Sequence, residues 1–138
     1  SDLRSTARPE LEKLSATVKE TINLSVMLDR EIFYLDKVET FRSVVCNTKV
    51  GTRAPAHATS GGKIMLAFHD PDYVDAYCRD LPQMQRLTDR TIFGLDQTVV
   101  AAVSIAGPTF RMKEELDVMT RAVKATAANI SRLMGGRP

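Results

Sequence analysis

The feature that most limits the fold is a change of hydrophobic period between residues 18 and 22. Through "ELEKLSATVKE", Leu11, Leu14 and Val18 recur at spacings of three and four, the repeat of one helix face. From Ile22 onward the period is two: Ile22, Leu24, Val26 and Leu28 alternate with Asn23, Ser25 and Met27. That period fits a strand with one face buried. "DRE" then turns the chain into "IFYLDKV", a second strand, and "RSVVCNTKV" reads as a third, ended by Gly51. Strands joined by links this short pair antiparallel, as a meander.

The later elements follow from caps and breakers. Pro9 fits the first turn of the opening helix, where a missing N–H costs nothing. Thr59 or Ser60 is a good N-cap for a helix carrying Ile64, Met65, Leu66 and Phe68. Asp70 and Pro71 are cap and first residue of "DYVDAYCRDL", which Leu81-Pro82 stops. "TVVAAVSIAG", from Thr98 to Gly107, is almost wholly apolar and predicts a central strand covered on both faces. A long last helix places Leu116, Met119, Val123, Ala127 and Ile130 at three/four spacing and stops at Gly135-Gly136. The sum is an α+β domain.

One join does not fit. "DRTIFGLDQTVVAAVSIAG" reads as a hairpin, yet its first strand is only Thr91-Ile92-Phe93, against a partner of ten residues. Half of that partner's ladder would lack a mate. A segment missing between Thr91 and Phe93 is therefore expected.

Composition excludes several function classes. At 138 residues the chain is one domain by length, able to bury ~65–70% of its unfolded surface without staples. No apolar run reaches the ~20 residues that span a bilayer, and the first residues do not read as a signal peptide, so no membrane partner is expected. A net charge of +2 without a Lys/Arg stripe gives no basic face for nucleic acid. Two cysteines, Cys46 and Cys78, form no framework and suggest a reducing cytoplasm.

The most informative loop is "GTRAPAHATSGGKIMLAF", Gly51 to Phe68. It is not a phosphate loop: His57 stands where the first glycine belongs, and Ile64 where the metal-holding hydroxyl belongs. Ser60, Gly61 and Gly62 do open a helix, whose first N–H groups lack internal partners and favour an anion. Two glycines let a ligand reach the backbone. A small carboxylate, with Ala54 and sheet side chains around its other end, matches that description. The alternative is that Thr59 caps the helix and the glycines serve tight packing. His57 as a base for Ser60 or Cys46 has little support, because no nucleophile elbow is present. His57 reads better as a loop organiser. His69 and Cys78 lack further ligands for a metal, so neither a metal nor a cofactor is expected.

"VGTRAPAHATSGGKIMLAF" resembles the signature segment of the effector-binding domain of IclR-type bacterial transcriptional regulators. The pattern there is Gly-x-x-x-Pro-x-His-Ala-(Thr/Ser)-x-x-Gly-Lys before an apolar helix, and every fixed position matches. "VKETINLSVMLDREIFYLDKVE", "LTDRTI" and "VVAAVSIAGPTFRM" resemble further family segments in order. The resemblance implies one IclR-type domain over residues 1–138: an antiparallel sheet of GAF/PAS-like type, flanked by helices and ending in a long one. It also implies a small organic acid effector, a homodimer or homotetramer, and promoter DNA bound only through an N-terminal winged helix-turn-helix not in this sequence. The residues it aligns with effector contacts are Ala54, Ser60 and Gly61, and the helix start adds Gly62. Strand alternation adds Asn23, Ser25, Cys46 and Ser104. The family carries a further helix and two strands before the final strand, where this sequence has the short join. The rival expectation is a ligand-free dimerisation or interaction module of the same fold.

Overall fold

A computed structural model describes residues 2–41, 48–80, 91–93 and 99–136. Helix α1 (Leu3–Val18) is capped by Asp2, whose side chain accepts from the Arg4 N–H at 3.1 Å. This start is earlier than expected, so Pro9 lies inside the helix rather than in its first turn. Both Pro9 and Ser5, the residue whose carbonyl loses its helical partner, are exposed, and water can replace that bond. Lys19 closes α1 in the left-handed region at φ 57°, its N–H donating to Ser15 O.

Strands β1 (Thr21–Leu28) and β2 (Glu31–Val38) form the expected hairpin, with a bulge where Leu24 pairs Asp36 but Ser25 pairs Tyr34. Most of the expected third strand cannot be followed. Residues 42–47 lie outside the described residues, and 48–50 are not extended into a strand. Gly51, at φ 86°, bends the chain and donates to Tyr34 O. The pairing strand β3 is Arg53–Pro55, opposite Glu31–Phe33.

A single 3-10 turn, Ala56–Ala58, leads to α2 (Ser60–Ala67), and Asp70 caps α3 (Pro71–Arg79), as the sequence indicates. The three-residue β4 (Thr91–Phe93) and the long β5 (Val99–Ala106) complete an antiparallel sheet in the order β3-β2-β1-β5-β4. Among the described residues, Val103–Ala106 pair only with β1. A short helix the sequence did not announce, α4 (Thr109–Glu114), precedes α5 (Leu116–Leu133). Leu116, expected in the buried stripe of α5, is half exposed, while Met119, Val123, Ala127 and Ile130 are buried.

Helices α1 and α5 cover one sheet face. Leu11, Leu14, Val18, Ile22, Leu24, Ala101 and Val103 meet the α5 stripe in one core. Helix α2 crosses the other face, where Ile32, Ala56, Ile64, Met65, Leu66, Tyr77 and Ala102 form a second core. β5 thus contributes to both. Helix α3 is held by Tyr77, buried beneath the Arg30 guanidinium, by the Arg30–Asp80 ion pair, and by Tyr73 donating to the Asp29 carbonyl.

Glu20, fully buried at the entry to β1, accepts two bonds from Arg111 on α4, at 2.7 and 2.9 Å. Arg111→Ala would remove both of these charge-assisted bonds from a buried carboxylate. Its loss of urea stability should clearly exceed that of Arg53→Ala, which breaks an exposed 3.8 Å pair worth at most about 1 kcal/mol. Replacing both partners, as Glu20→Gln with Arg111→Met, should recover part of the loss. A second expectation concerns Asp80. A hydrogen bond from Arg30, then its charge, hold this carboxyl below the usual range. Its stabilisation is present above its unfolded value of about 3.9 and fades as pH falls through the lower folded value. Urea midpoints of wild type and Asp80→Asn should therefore differ near neutrality and converge in acid.

Candidate functional site

The alternation of β1 gives its two faces different chemistry. Ile22 and Leu24 enter the α1–α5 core, so Thr21, Asn23 and Ser25 face the α2 side, and all three are buried. The register supplies their neighbours. Asn23 lies opposite Ser104 on β5 and Lys37 on β2; Ser25 lies opposite Ala102 and Tyr34; Thr21 lies opposite Ala106. The result is a polar stripe on a buried sheet face. Thr21 Oγ1 and Asn23 Oδ1 are enclosed and have no hydrogen-bond partner among the described residues. Buried polar atoms in native proteins are nearly always bonded, so two on one stripe call for an explanation. Lys37 Nζ, on the same face, donates to Thr48 O at 2.7 Å and pairs with Glu39 at 2.6 Å.

Above Ser25 lies the start of α2. Thr59 is the N-cap: its side chain accepts from the Gly62 N–H at 3.1 Å, and its carbonyl accepts from the Lys63 N–H at 2.9 Å. The N–H groups of Ser60 and Gly61 belong to the first turn, where a helix provides no acceptor. Both glycines are packed tightly. A Cβ on Gly61 would stand 2.4 Å from Ser25 Oγ, and one on Gly62 would stand 2.2 Å from the Ala56 carbonyl oxygen.

The structure therefore brings Asn23, Ser25 and Ser104 onto one face and sets Gly61 directly over Ser25. Gly62 is turned onto the Ala56 main chain, and Ser60 is exposed at the helix start. Ala54 packs against the second core from β3, opposite Ile32 and beyond β2 from the stripe. Cys46 lies outside the described residues. Thr21 and Lys37 are additions. Thr21 simply continues the alternation of Asn23 and Ser25. Lys37 could not be read that way, because the β2 bulge puts it on the same face as Tyr34.

His57 organises its loop. The Tyr77 hydroxyl accepts from the His57 N–H at 3.1 Å and lies 3.2 Å from Nδ1, to which its own proton can be donated. No hydrogen bond joins His57 to Ser60 among the described residues. His69 Nδ1 accepts from the Asp70 N–H at 2.8 Å while its ring stacks on Tyr73. No group of three His, Cys, Asp or Glu among the described residues could hold a metal.

Comparison with known proteins identifies the relatives of this fold. A family model described as bacterial transcriptional regulator IclR C-terminal matches residues 1–97. The HTH-type transcriptional regulator KdgR of Escherichia coli K12 is 28% identical over 171 aligned residues, which take in 97% of this chain and 65% of that protein. The chain thus spans just under two thirds of that relative. A crystal structure of a transcriptional regulator from Rhodococcus sp. RHA1 superposes with a TM-score of 0.83 at 28% identity, covering 98% of this chain and 69% of that one. The transcriptional regulator YaiJ superposes with a TM-score of 0.84 at 26% identity, over 96% and 95%. These are regulators, not enzymes.

The two glycines should respond differently to a methyl group. Gly62→Ala meets main chain that cannot rotate away, and a loss of about 1–3 kcal/mol or more is expected in urea unfolding. Gly61→Ala meets only a hydroxyl; the next neighbours are 3.6 and 3.7 Å away. Its loss should be smaller, and Ser25→Ala in the same chain should reverse it, leaving the helix-propensity gain of roughly 0.5–1 kcal/mol. Equal, unrescued losses would contradict this packing.

Proposed function

The chain belongs to the IclR family of bacterial transcriptional regulators, as their C-terminal domain, and from that premise we propose that it senses a small organic carboxylate. The site is the buried face formed by Asn23, Ser25, Ser104 and Lys37 beneath the first turn of α2. The observation that carries this reading is the polar stripe itself: unsatisfied groups on a rigid strand, beside a lysine and a helix N-terminus. An anion there meets the positive end of a helix dipole and the Lys37 charge together.

Sensing requires that the ligand bind one geometry of the domain better than another. β2 offers the route. Lys37 lies on the ligand face, while on the other face Arg8 Nη1 of α1 donates to both Lys37 O and Asp36 Oδ1, each at 3.0 Å. A displacement of this strand is therefore felt by α1. A tenfold change in operator affinity needs only about 1.4 kcal/mol of such coupling. The DNA is contacted by a winged helix-turn-helix outside this sequence, in a cytoplasmic homodimer or homotetramer. No helix among the described residues is long and apolar enough to cross a membrane. The alignment with KdgR is longer than this chain, so that relative carries residues without a counterpart here. We place them before Ile92, where they would complete the ladder of β5.

A second reading is an interaction module without a live site. Its support is the apolar exposure of Phe110, Leu116 and Val118 on α4 and α5, each at least half exposed. One pair of measurements separates the two. In a thermal-shift screen of two- to six-carbon aliphatic acids and benzoates, a bound acid at 100 times its Kd adds about 2.7 kcal/mol of stability. Lys37→Met should weaken that effect at least several-fold. A shift that Lys37→Met leaves untouched would remove the site, and no shift with a tight dimer in sedimentation would favour the module.

A further inference from the structure

We infer that the effector carries, besides its carboxylate, a hydroxyl group that is read by Asn23 and Thr21. The inference rests on the sensor reading above and narrows its ligand class to short hydroxy acids.

The argument is one of donors and acceptors. An ionised carboxylate only accepts hydrogen bonds. The Asn23 amide presents an acceptor and two donors, and its oxygen is enclosed without a hydrogen-bond partner among the described residues, in a side chain only 4% exposed. A carboxylate could use the amide N–H groups. It would leave the amide oxygen unsatisfied and would repel it. The enclosed amide oxygen needs a donor, which an ionised carboxylate lacks. Thr21 Oγ1, two residues along the same face and also enclosed, has the same unmet requirement. A hydroxyl both donates and accepts, so one next to the carboxylate can serve the amide oxygen and the threonine together. Ser25 and Ser104 border the stripe and extend the hydroxyl-compatible surface.

A polar site of this kind discriminates strongly, because a ligand lacking the hydroxyl leaves buried groups unpaired. Apolar acids of equal length should therefore be the weaker ligands, although they are easier to desolvate.

The test uses the full chain and four three-carbon acids: propionate, 2-hydroxypropanoate, 3-hydroxypropanoate and 2,3-dihydroxypropanoate. Thermal midpoints are titrated against each. At least one hydroxylated acid is expected to reach the same midpoint shift as propionate at about one tenth of its concentration, the worth of roughly one net hydrogen bond. Asn23→Leu should collapse that preference to within about twofold, whatever it does to the affinity the four acids have in common. Thr21→Val, close in shape, provides the same readout if Asn23→Leu does not fold. Equal potency of all four acids in wild type would overturn the inference and leave the carboxylate sensor standing. A preference that survives both substitutions would also overturn it. No shift with any acid would remove the sensor reading and this inference with it.

Discussion

Helix α2 lies so close to the sheet that Gly61 has no room for a methyl group above Ser25, and Gly62 has none beside the Ala56 main chain. That approach sets the distance between the helix start and the polar stripe. It also fixes the direction in which the first-turn N–H groups of α2 point. Thr59 makes the approach possible, since its hydroxyl and carbonyl take the Gly62 and Lys63 N–H groups and start the helix at this point. Tyr77 anchors the preceding turn through His57. Three local devices, a cap, a glycine pair and a histidine–tyrosine contact, thus hold one helix start over one strand.

The parts of the fold that were legible in the sequence are those whose signal is local. The change of period at Val18–Ile22 gave the end of α1 and the start of β1, and the Thr59 and Asp70 caps gave the starts of α2 and α3 to within a residue. What was hidden depends on distant partners. Glu20 and Arg111 are ninety-one residues apart, and nothing near either one announces their buried pair. β3 forms at Arg53–Pro55 because Gly51 turns the chain beside Tyr34, a contact between residues seventeen apart that no local pattern announces. Pro9 misled for a related reason: it is tolerated inside α1 because its side of the helix faces water.

The candidate site was half legible, and the bulge explains which half. On β1 the alternation is unbroken, so Asn23 and Ser25 could be assigned to one face from the sequence. On β2 the extra residue between the Tyr34 and Asp36 pairings reverses the parity. Without it Lys37 would lie on the opposite face to Tyr34, among the apolar side chains beneath α1. With it, Asp36 takes that side and finds Arg8 and Arg4, while Lys37 reaches Thr48 and Glu39. A bulge can re-aim a side chain in this way at no cost in strand length.

The same strand has to supply both stability and unsatisfied groups. Ile22 and Leu24 are fully buried in the larger core, where each is worth about 1.5–3 kcal/mol relative to exposure. Thr21 and Asn23, their immediate neighbours, leave enclosed polar atoms unpaired, a penalty of about 1–3 kcal/mol for each group. The two effects are of similar size and are interleaved residue by residue, so the apolar face of β1 offsets what its polar face gives up. A loop could carry the same polar groups without that penalty, because water would satisfy them. It could not hold them in fixed register with Ser104 and Lys37, and a recognition site depends on such fixed spacing. Placing the groups on a paired strand, Thr21 beside β5 and Asn23 between β5 and β2, trades stability for geometry, and the trade is sustainable because Leu11, Val123 and Ile130 back the strand from behind.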